Sequence, residues 1–512
     1  METNKKLAME NLDKQTINGT NDSETVTKPV ANLDNGGLQK LPYPKRIFLI
    51  VGNEVCERFN FYGMRAILAF YLNYKMGYTE TDATMLFHAF TMMVYFACFF
   101  GGIVSDVWLG KFHTILYLSF FYSIGSVILS LSAIPVIDFI SPKIAVFIGL
   151  VLIAIGSGGI KPCVSAFGAD QFKLPEQAAQ IATYFSVFYF SMSVGTLTST
   201  TITPILRADV HCFGENDCYS LAFGVPAILM IISIVLFLIG KSSYTYVETS
   251  SENMIIKIFK CISHAIATKR REGKLSPREN LLDYSTEKYG AQLVNDIRAV
   301  TNILLLYLPL PIFWTVYNQK GSRWIFQGAK MNGDIGFYVI KPDQMLMVNP
   351  LLVLTLVPVF ETVIYPMLNK IGIRRPLQKM TIGGILLAIS FFLSAIIEFS
   401  IESSSEKSIS ILWQIPQFVI LTIGEILFAV TGLSFSYEEA SANMKSVVVA
   451  YWHLLVAFGE ICFIFVSKIT ADRFTQGNEF VLFAVLMLID MLIFAIVARN
   501  FKSQSQSKGD AR

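Results

Sequence analysis

The chain has 512 residues, of which 53% are hydrophobic and only 15% are charged, and its mean hydropathy is +0.52. Soluble proteins carry about a quarter charged residues, and here the apolar residues form long runs instead of helix stripes, so a soluble protein is excluded. The net charge of +3 is too small to indicate a nucleic-acid-binding protein.

The apolar runs predict twelve membrane-spanning helices, each near the ~20 residues that a bilayer requires. The fold class is therefore an all-α membrane protein. Residues 1–44 are polar and are expected to form a disordered tail with no cleavable signal peptide. The approximate predicted spans are 45–72, 82–106, 113–134, 144–166, 180–205, 220–240, 297–318, 346–369, 378–400, 411–434, 445–470 and 479–501.

Six helices, a linker and six more helices are typical of transporters built from two bundles. This layout predicts bundles over 45–240 and 297–501, a linker over 241–296 and a tail over 502–512. The linker stretch "SENMIIKIFKCISHAIATKRR" has isoleucines at helical spacing with lysines between them. It is interpreted as a basic amphipathic helix on the inner leaflet, with a regulatory docking helix as the alternative.

Lysines and arginines set the predicted orientation. They concentrate in the first 46 residues, near Lys111, through 241–298, at 370–379 and after Arg499, all on one side if the spans alternate. The positive-inside rule then places both termini and the linker in the cytosol. We expect a multi-pass protein of the plasma membrane.

The first predicted span contains a column of charges in "EVCERFNFYGMRAIL". Glu54, Glu57 and Arg58 have the spacing i, i+3 and i+4, and Arg65 continues the same face two turns later. A charge at the bilayer centre costs about 2.5–3.5 kcal/mol or more, so this face is expected to line an interior cavity. A static ion-pair network that fixes packing is the alternative.

Further ionisable residues fall inside later predicted spans: His88, Lys161, Glu361, Glu425 and Glu460. His88 titrates near neutral pH and is a proton-site candidate, although a satisfied interior histidine is the alternative. For Glu460, a simple hydrogen-bonded role is the alternative. Arginine and lysine bind carboxylates and glutamate binds ammonium groups, so such a cavity suits a zwitterion. The aromatic residues that could line its pockets are Tyr62, Tyr71, Tyr95, Tyr189 and Trp314.

Two of the seven cysteines, Cys212 and Cys218, share a predicted outer loop, where a disulfide or two free thiols are both possible. The others show no metal-ligand spacing, so no metal is predicted.

Glycine-rich "GSGGIKP" lacks the order of a phosphate-binding loop and is expected to let helices pack closely. "GGIVSDVWLGKF" resembles the cytoplasmic loop motif of the major facilitator superfamily.

Several of these stretches together resemble the proton-dependent oligopeptide transporters. "EVCERFNFYG" resembles their Glu-x-x-Glu-Arg-Phe-x-Tyr-Tyr-Gly motif, and the animal members are similar in "GIKPCVSAFGADQF", "YLPLPIFW", "QKGSRW" and "LTIGEILFAVTGLSFSY". The resemblance extends from about Pro42 to Arg499. It implies a major facilitator fold and symport of di- and tripeptides with protons by alternating access.

The resemblance also implies roles for individual residues. Arg65 and Lys161 match the positions that hold the peptide carboxylate, and Asn349 and Glu425 match those for the amino terminus. The aromatic residues named above match pocket positions. The implied proton-coupling residues are Glu54, Glu57, Arg58, His88, Lys161 and Glu361.

The chain departs from the family pattern at several positions. Phe61 replaces a tyrosine, and Ser193 replaces a pocket asparagine. Asn302 stands where animal relatives have an arginine paired with an acid at the position of Glu361, so this acid lacks a charged partner. The large extracellular insertion of animal members is also missing, and we expect transport without it.

Proton-coupled symport of di- and tripeptides is therefore the first hypothesis. An uncoupled peptide uniporter or sensor is the second, because Asn302 removes a charge. A carrier of another solute, such as histidine or nitrate, is a further alternative. No residue pattern supports an enzyme. Protons are expected as coupling ion without a cofactor, lipid is expected around the spans, and no nucleic acid or obligate protein partner is expected.

Overall fold

The computed structural model describes residues 41–135, 141–173, 176–247, 254–272, 280–404, 407–441, 444–471 and 473–501. Helices form nearly all of the regular structure in these residues. The predicted disordered tails fall almost wholly outside the described residues.

The first half of the described chain contains six long helices. Helix α1 packs between α5 and α6, while α4 packs against both α2 and α3. Their bounds are α1 (Ile47–Phe70), α2 (Glu80–Val104), α3 (Gly110–Ser132), α4 (Pro142–Ala169), α5 (Ala178–Ala208) and α6 (Tyr219–Ile239).

The linker contributes helix α7 (Met254–Glu272) and the short α8 (Thr286–Tyr289). Cys261 and Ala265 of α7 are fully buried, and Cys261 belongs to an apolar cluster with Val294 and Met444 of the second half. Phe259, on another face of α7, is exposed. One face of the amphipathic helix therefore packs on the protein itself.

The helices of the second half are interrupted more often than those of the first half. They are α9 (Ala291–Leu306), α10 (Pro311–Tyr317), α11 (Arg323–Ala329), α12 (Val348–Val359), α13 (Tyr365–Lys370), α14 (Pro376–Ser403), α15 (Ile415–Glu425), α16 (Thr431–Glu439), α17 (Lys445–Thr470) and α18 (Gln476–Asn500). A 3₁₀ turn over Asn318–Gly321 separates α10 from α11, and π-helical turns over Phe360–Ile364 and Ile426–Val430 interrupt two other spans.

Judged by length and composition, eight segments of the described chain could cross a membrane, or nine if the bent pair Ala291–Leu306 and Pro311–Ala329 is one span. One of the eight, Glu80–Ser132, contains both α2 and α3. Helices α1 and α5 have 24 and 31 residues, which is long enough, but α1 carries four charges and α5 many hydroxyl groups. The helices are thus consistent with the twelve predicted spans.

The glycine-rich stretch of α4 lies where the predicted close packing occurs. A Cβ on Gly101 of α2 would lie 2.4 Å from Gly159 Cα, and a Cβ on Gly158 would lie 2.2 Å from Val94 O. No side chain fits in either place, so glycine allows α2 and α4 to approach, and this prediction is confirmed.

The two halves contact each other mainly through two sets of elements. Helix α2 packs along α17, and α5 packs against α12 and the 3₁₀ turn Pro342–Met347 that precedes it. The loop after α5 carries a disulfide between Cys212 and Cys218. We call this end of the molecule the disulfide end.

Candidate functional site

The charged column of α1 forms a buried network with α4. Glu54, Glu57 and Arg58 are 1%, 1% and 6% exposed. Arg58 Nε donates to Glu54 Oε1 at 2.6 Å, and Lys161 Nζ of α4 lies 3.8 Å from Glu57 Oε1. The structure therefore brings together all four residues, as the helical spacing predicted for the first three.

The two carboxylate oxygens of Glu57 have different environments. Ser157 Oγ donates to Oε1 at 3.1 Å. Oε2 lies 3.3 Å from Arg58 Nε but has no hydrogen bond aligned with it. Oε2 therefore keeps an unused acceptor position in a buried site.

Phe61, which replaces a family tyrosine, has a contact of its own in this network. Lys161 Nζ lies 3.8 Å from the centre of the Phe61 ring. An aromatic face attracts an ammonium group electrostatically. The ring thus holds the Lys161 ammonium beside Glu57 without the hydroxyl that a tyrosine at position 61 would add.

Arg65 extends from the same helix toward the second half. Its Nη2 donates to Asn318 Oδ1 at 3.3 Å, and its guanidinium lies 4.8 Å from the centre of the Phe87 ring. Its Nε is buried and has no hydrogen-bond partner. No carboxylate of the described residues lies within ion-pair distance of Arg65, so this cation is available to a ligand carboxylate.

His88 of α2 forms a second buried cluster, with Glu460 of α17. His88 Nδ1 hydrogen-bonds Glu460 Oε2, and His88 Nε2 lies 3.0 Å from Ser322 Oγ. Asn318 Nδ2 donates to Glu460 Oε1 at 2.6 Å, and the His88 ring stacks on Phe463 with centroids 3.7 Å apart. His88 and Glu460 are both fully buried and come from opposite halves, so a proton held between them bridges the bundles.

A third cluster surrounds Glu425 at the end of α15. Tyr317 Oη donates to Glu425 Oε1 at 2.5 Å, and Asn349 Nδ2 donates to Glu425 Oε2 at 2.8 Å. Asn349 Nδ2 is also 2.9 Å from Thr422 Oγ1. Lys320 Nζ donates to Asn349 Oδ1 at 2.7 Å and lies 3.6 Å from the centre of the Tyr317 ring. Two predicted residues, Asn349 and Glu425, are therefore in direct contact.

The 3₁₀ turn Asn318–Gly321 connects these clusters. Asn318 contacts both Arg65 and Glu460, and Lys320, two residues later, contacts Asn349. Sequence reasoning missed this turn, together with Tyr317 and Ser322. The signal available was the polar run "YNQKGS" directly after the apolar "LPIFWTV", at the end of the predicted span 297–318.

The predicted pocket aromatics divide into two groups. Trp314 packs 5.6 Å from the Tyr317 ring, Tyr62 contacts Phe61 edge-on at 5.2 Å, and Tyr95 lies near the bundle interface, 6.0 Å from His453. These three surround the clusters.

Other predicted site residues lie apart from the clusters. Tyr71 is buried in the first half, with its hydroxyl 3.3 Å from Ser132 Oγ. Tyr189 is 59% exposed, and Glu361 is exposed in the π turn after α12. Asn302 is also exposed. Their roles stay predictions.

The disulfide end is closed by ion pairs between the halves. Arg207 of α5 makes two hydrogen bonds with the Asp343 carboxylate, of 2.7 and 2.9 Å, and Lys341 Nζ lies 2.7 Å from Asp209 Oδ1. The Asp343 side chain is fully buried. A bidentate buried pair of this kind holds two helices in one relative position.

Comparison with known proteins shows similarity to one family and to individual transporters. The POT family model matches residues 112–480. Peptide transporter family 1 of Drosophila melanogaster is 35% identical, and the match covers 91% of this chain and 89% of that protein. Solute carrier family 15 member 2 of Homo sapiens is 47% identical over 70% of this chain, and the match spans only 50% of the human protein's length.

A solved structure extends the comparison to the fold. The crystal structure of the POT family transporter PepTSo has a TM-score of 0.76 and 27% identity, covering 90% of this chain and 99% of that one. The prediction of an all-α membrane protein with the major facilitator fold is confirmed.

Proposed function

Because the chain belongs to the POT family, a family of transporters, we propose that it carries di- and tripeptides across a membrane together with protons by alternating access. The observation that carries this proposal is the separation of charge between the two halves of the molecule. Arg65, without a carboxylate partner among the described residues, lies on one half, and Glu425, with its amide and hydroxyl donors, lies on the other. A zwitterionic peptide complements both ends.

Each end of the peptide has a chemically suitable partner. Arg65, supported by Lys161, binds the carboxylate, because a guanidinium presents paired N–H donors to the two oxygens. Glu425 and Asn349 accept the ammonium hydrogens at the other end. Tyr62, Tyr95 and Trp314 provide apolar walls that tolerate different side chains.

Proton coupling is assigned to the two buried acid clusters. Glu57 takes a proton at Oε2, the oxygen without an aligned hydrogen bond, and this neutralises its attraction for Lys161. Lys161 is then free to pair with the peptide carboxylate. His88 and Glu460 share a second proton, and loss of that proton weakens the contact between α2 and α17.

Alternating access uses the contacts at the disulfide end. The pairs Arg207–Asp343 and Lys341–Asp209 close this end, and their separation opens the cavity there. The distribution of positive residues supports a cytosolic location for the opposite end, both termini and the linker, with the disulfide facing an oxidising exterior. The plasma membrane is the proposed location. No cofactor or metal takes part in this mechanism.

Uptake by purified protein in liposomes tests the proposal. We expect labelled Ala-Ala to accumulate above its external concentration only with an inward proton gradient, and Glu57→Gln to lose accumulation while still exchanging peptide. Glu398→Gln is the matched control, because Glu398 is an equally buried carboxylate that pairs with Lys330 of its own half, outside the clusters described above. Equal, gradient-independent equilibration by all three proteins would contradict coupling.

One observation favours a second candidate, an uncoupled peptide uniporter. Asn302 and Glu361 are both exposed, and no hydrogen bond joins them in the described chain. If proton movement required a charged partner for Glu361, coupling would be lost. Replacing Asn302 with arginine would then convert equilibrating uptake into accumulation, whereas a protein that already accumulates peptide excludes this candidate.

A further inference from the structure

Lys320 is a cation of the Glu425 cluster to which the mechanism above gives no task. It lies on the 3₁₀ turn between α10 and α11, half-buried, with its ammonium over the Tyr317 ring. Its hydrogen bond in the described chain goes to Asn349 Oδ1. An ammonium group has three donors, so two of the three are uncommitted. No carboxylate of the described residues lies within ion-pair distance.

The position of Lys320 matters because Asn349 joins it to the amino-terminal end of the proposed peptide site. The same amide accepts from Lys320 through Oδ1 and donates to Glu425 through Nδ2. A peptide ammonium bound at Glu425 therefore lies close to a second positive charge. This repulsion weakens binding of a neutral peptide in a cavity shielded from water.

A carboxylate next to that ammonium removes the repulsion. A peptide whose first residue is aspartate or glutamate has its side-chain carboxylate attached to the carbon that bears the ammonium. With the ammonium at Glu425, this carboxylate reaches the uncommitted donors of Lys320. The other carboxylate, at the far end of the peptide, remains for Arg65.

We propose that Lys320 is a specificity-determining residue that selects peptides with an acidic amino-terminal side chain. The inference rests on the proposed function, because it assigns the peptide ammonium to Glu425. It concerns the side-chain preference of the site and is independent of proton coupling.

Competition for uptake of labelled Ala-Ala tests the inference. Glu-Ala and Gln-Ala are the competitors, since they have nearly the same shape and differ in charge. The external pH is held at 6, where a glutamate side chain with a pKa of about 4.3 is ionised. We expect Glu-Ala to compete about tenfold more strongly than Gln-Ala, the effect of a hydrogen bond to a charged group.

Two variants assign this preference to the ammonium group. In Lys320→Gln the ratio between the two competitors is expected to fall to about one, and in Lys320→Arg, which keeps the positive charge, it is expected to persist. A wild-type ratio near one, or a ratio that survives in Lys320→Gln, overturns the inference. If neither variant can be purified folded, the wild-type ratio alone decides.

Failure of the proposed function would give a different result. A wild-type protein that takes up no Ala-Ala contradicts peptide transport. In that case, thermal stabilisation of the detergent-solubilised protein by Glu-Ala compared with Gln-Ala still tests the pocket. Greater stabilisation by Glu-Ala supports the role of Lys320, and equal or absent stabilisation contradicts it.

Discussion

Arg65 is one of the cations that have no carboxylate of the described residues within ion-pair distance. Arg65→Ala is expected to raise the KM for Ala-Ala at least about tenfold, because a charge-assisted hydrogen bond to the peptide is lost. The variant should also lose discrimination between Ala-Ala and its carboxamide, since that discrimination requires the guanidinium. The KM is measured from the concentration dependence of labelled Ala-Ala uptake. The discrimination is measured as inhibition of that uptake by unlabelled Ala-Ala and by its carboxamide.

Lys75→Ala is the control for this prediction. Lys75 is also a cation near the end of the first span, but it pairs with Glu215 and Asp217 in the outer loop. Its removal should leave the preference for a free carboxylate intact. Equal loss of discrimination in both variants would indicate a general effect of charge, not a binding role of Arg65.

Ser322 is expected to set the orientation of the His88 ring. In the tautomer that donates from Nδ1–H to Glu460, Nε2 is the nitrogen that accepts from the Ser322 hydroxyl. Ser322→Ala should reduce gradient-driven accumulation by about 2- to 10-fold, the range for one neutral hydrogen bond. His88→Ala should abolish it.

Transport by exchange distinguishes this role from a general loss of folding. Exchange of internal for external peptide needs no net proton movement, so Ser322→Ala should retain it at the wild-type rate. A variant that loses exchange and accumulation in the same proportion would show that Ser322 supports packing only.

At the scale of elements, the pair Arg207–Asp343 is expected to determine which end of the cavity is closed. Removing one partner of a buried ion pair costs about 3–5 kcal/mol, because the other charge stays buried. Arg207→Ala should therefore favour the conformation open at the disulfide end. Spin labels at Glu80 and Phe337, both exposed near that end, should move apart in the variant.

Lys330→Ala provides the comparison for that experiment. It also breaks a pair with a buried carboxylate, that of Glu398, but both partners belong to the second half. Its label distances should match those of the wild type. Unchanged distances in Arg207→Ala would mean that other contacts hold the end closed.

The elements also show what the sequence could and could not predict. Glu54, Glu57 and Arg58 were predicted to share a face because four residues return a helix to the same side. Arg65 with Asn318 and His88 with Glu460 are separated by 253 and 372 residues. Such contacts depend on how two bundles meet, and helix periodicity contains no information about that.

Interruptions of the helices inside predicted spans were the second feature that the sequence did not predict. The predicted span 297–318 is a bent pair of helices in the structure, with a 48° bend, and it continues to Ala329. Hydropathy averages over such breaks, so neither the bend at 307–310 nor the separate 3₁₀ turn Asn318–Gly321 was recognised. The resemblance predicts binding roles for Arg65, Lys161, Asn349 and Glu425 from their positions in the family pattern, which do not depend on a hydropathy average.

For the whole molecule, the proposed symport predicts an electric current. A neutral dipeptide with one proton carries one positive charge, which gains about 2.3 kcal/mol per 100 mV of membrane potential. Addition of Ala-Ala to liposomes on a solid-supported membrane should give a transient inward current. Glu57→Gln should bind Ala-Ala and give no such transport current. Uptake without current in the wild type would show a different charge stoichiometry.

The π turn Ile426–Val430 affects how variants along its helix should be compared. Its first three residues, Ile426, Leu427 and Phe428, are all buried. One extra residue in a turn rotates everything after it by about 100°. In a systematic mutational scan, the pattern of tolerated positions should therefore slip by one residue just after Glu425. A deletion within the turn would restore a regular helix, and its harm would come from misdirecting one entire half of the span.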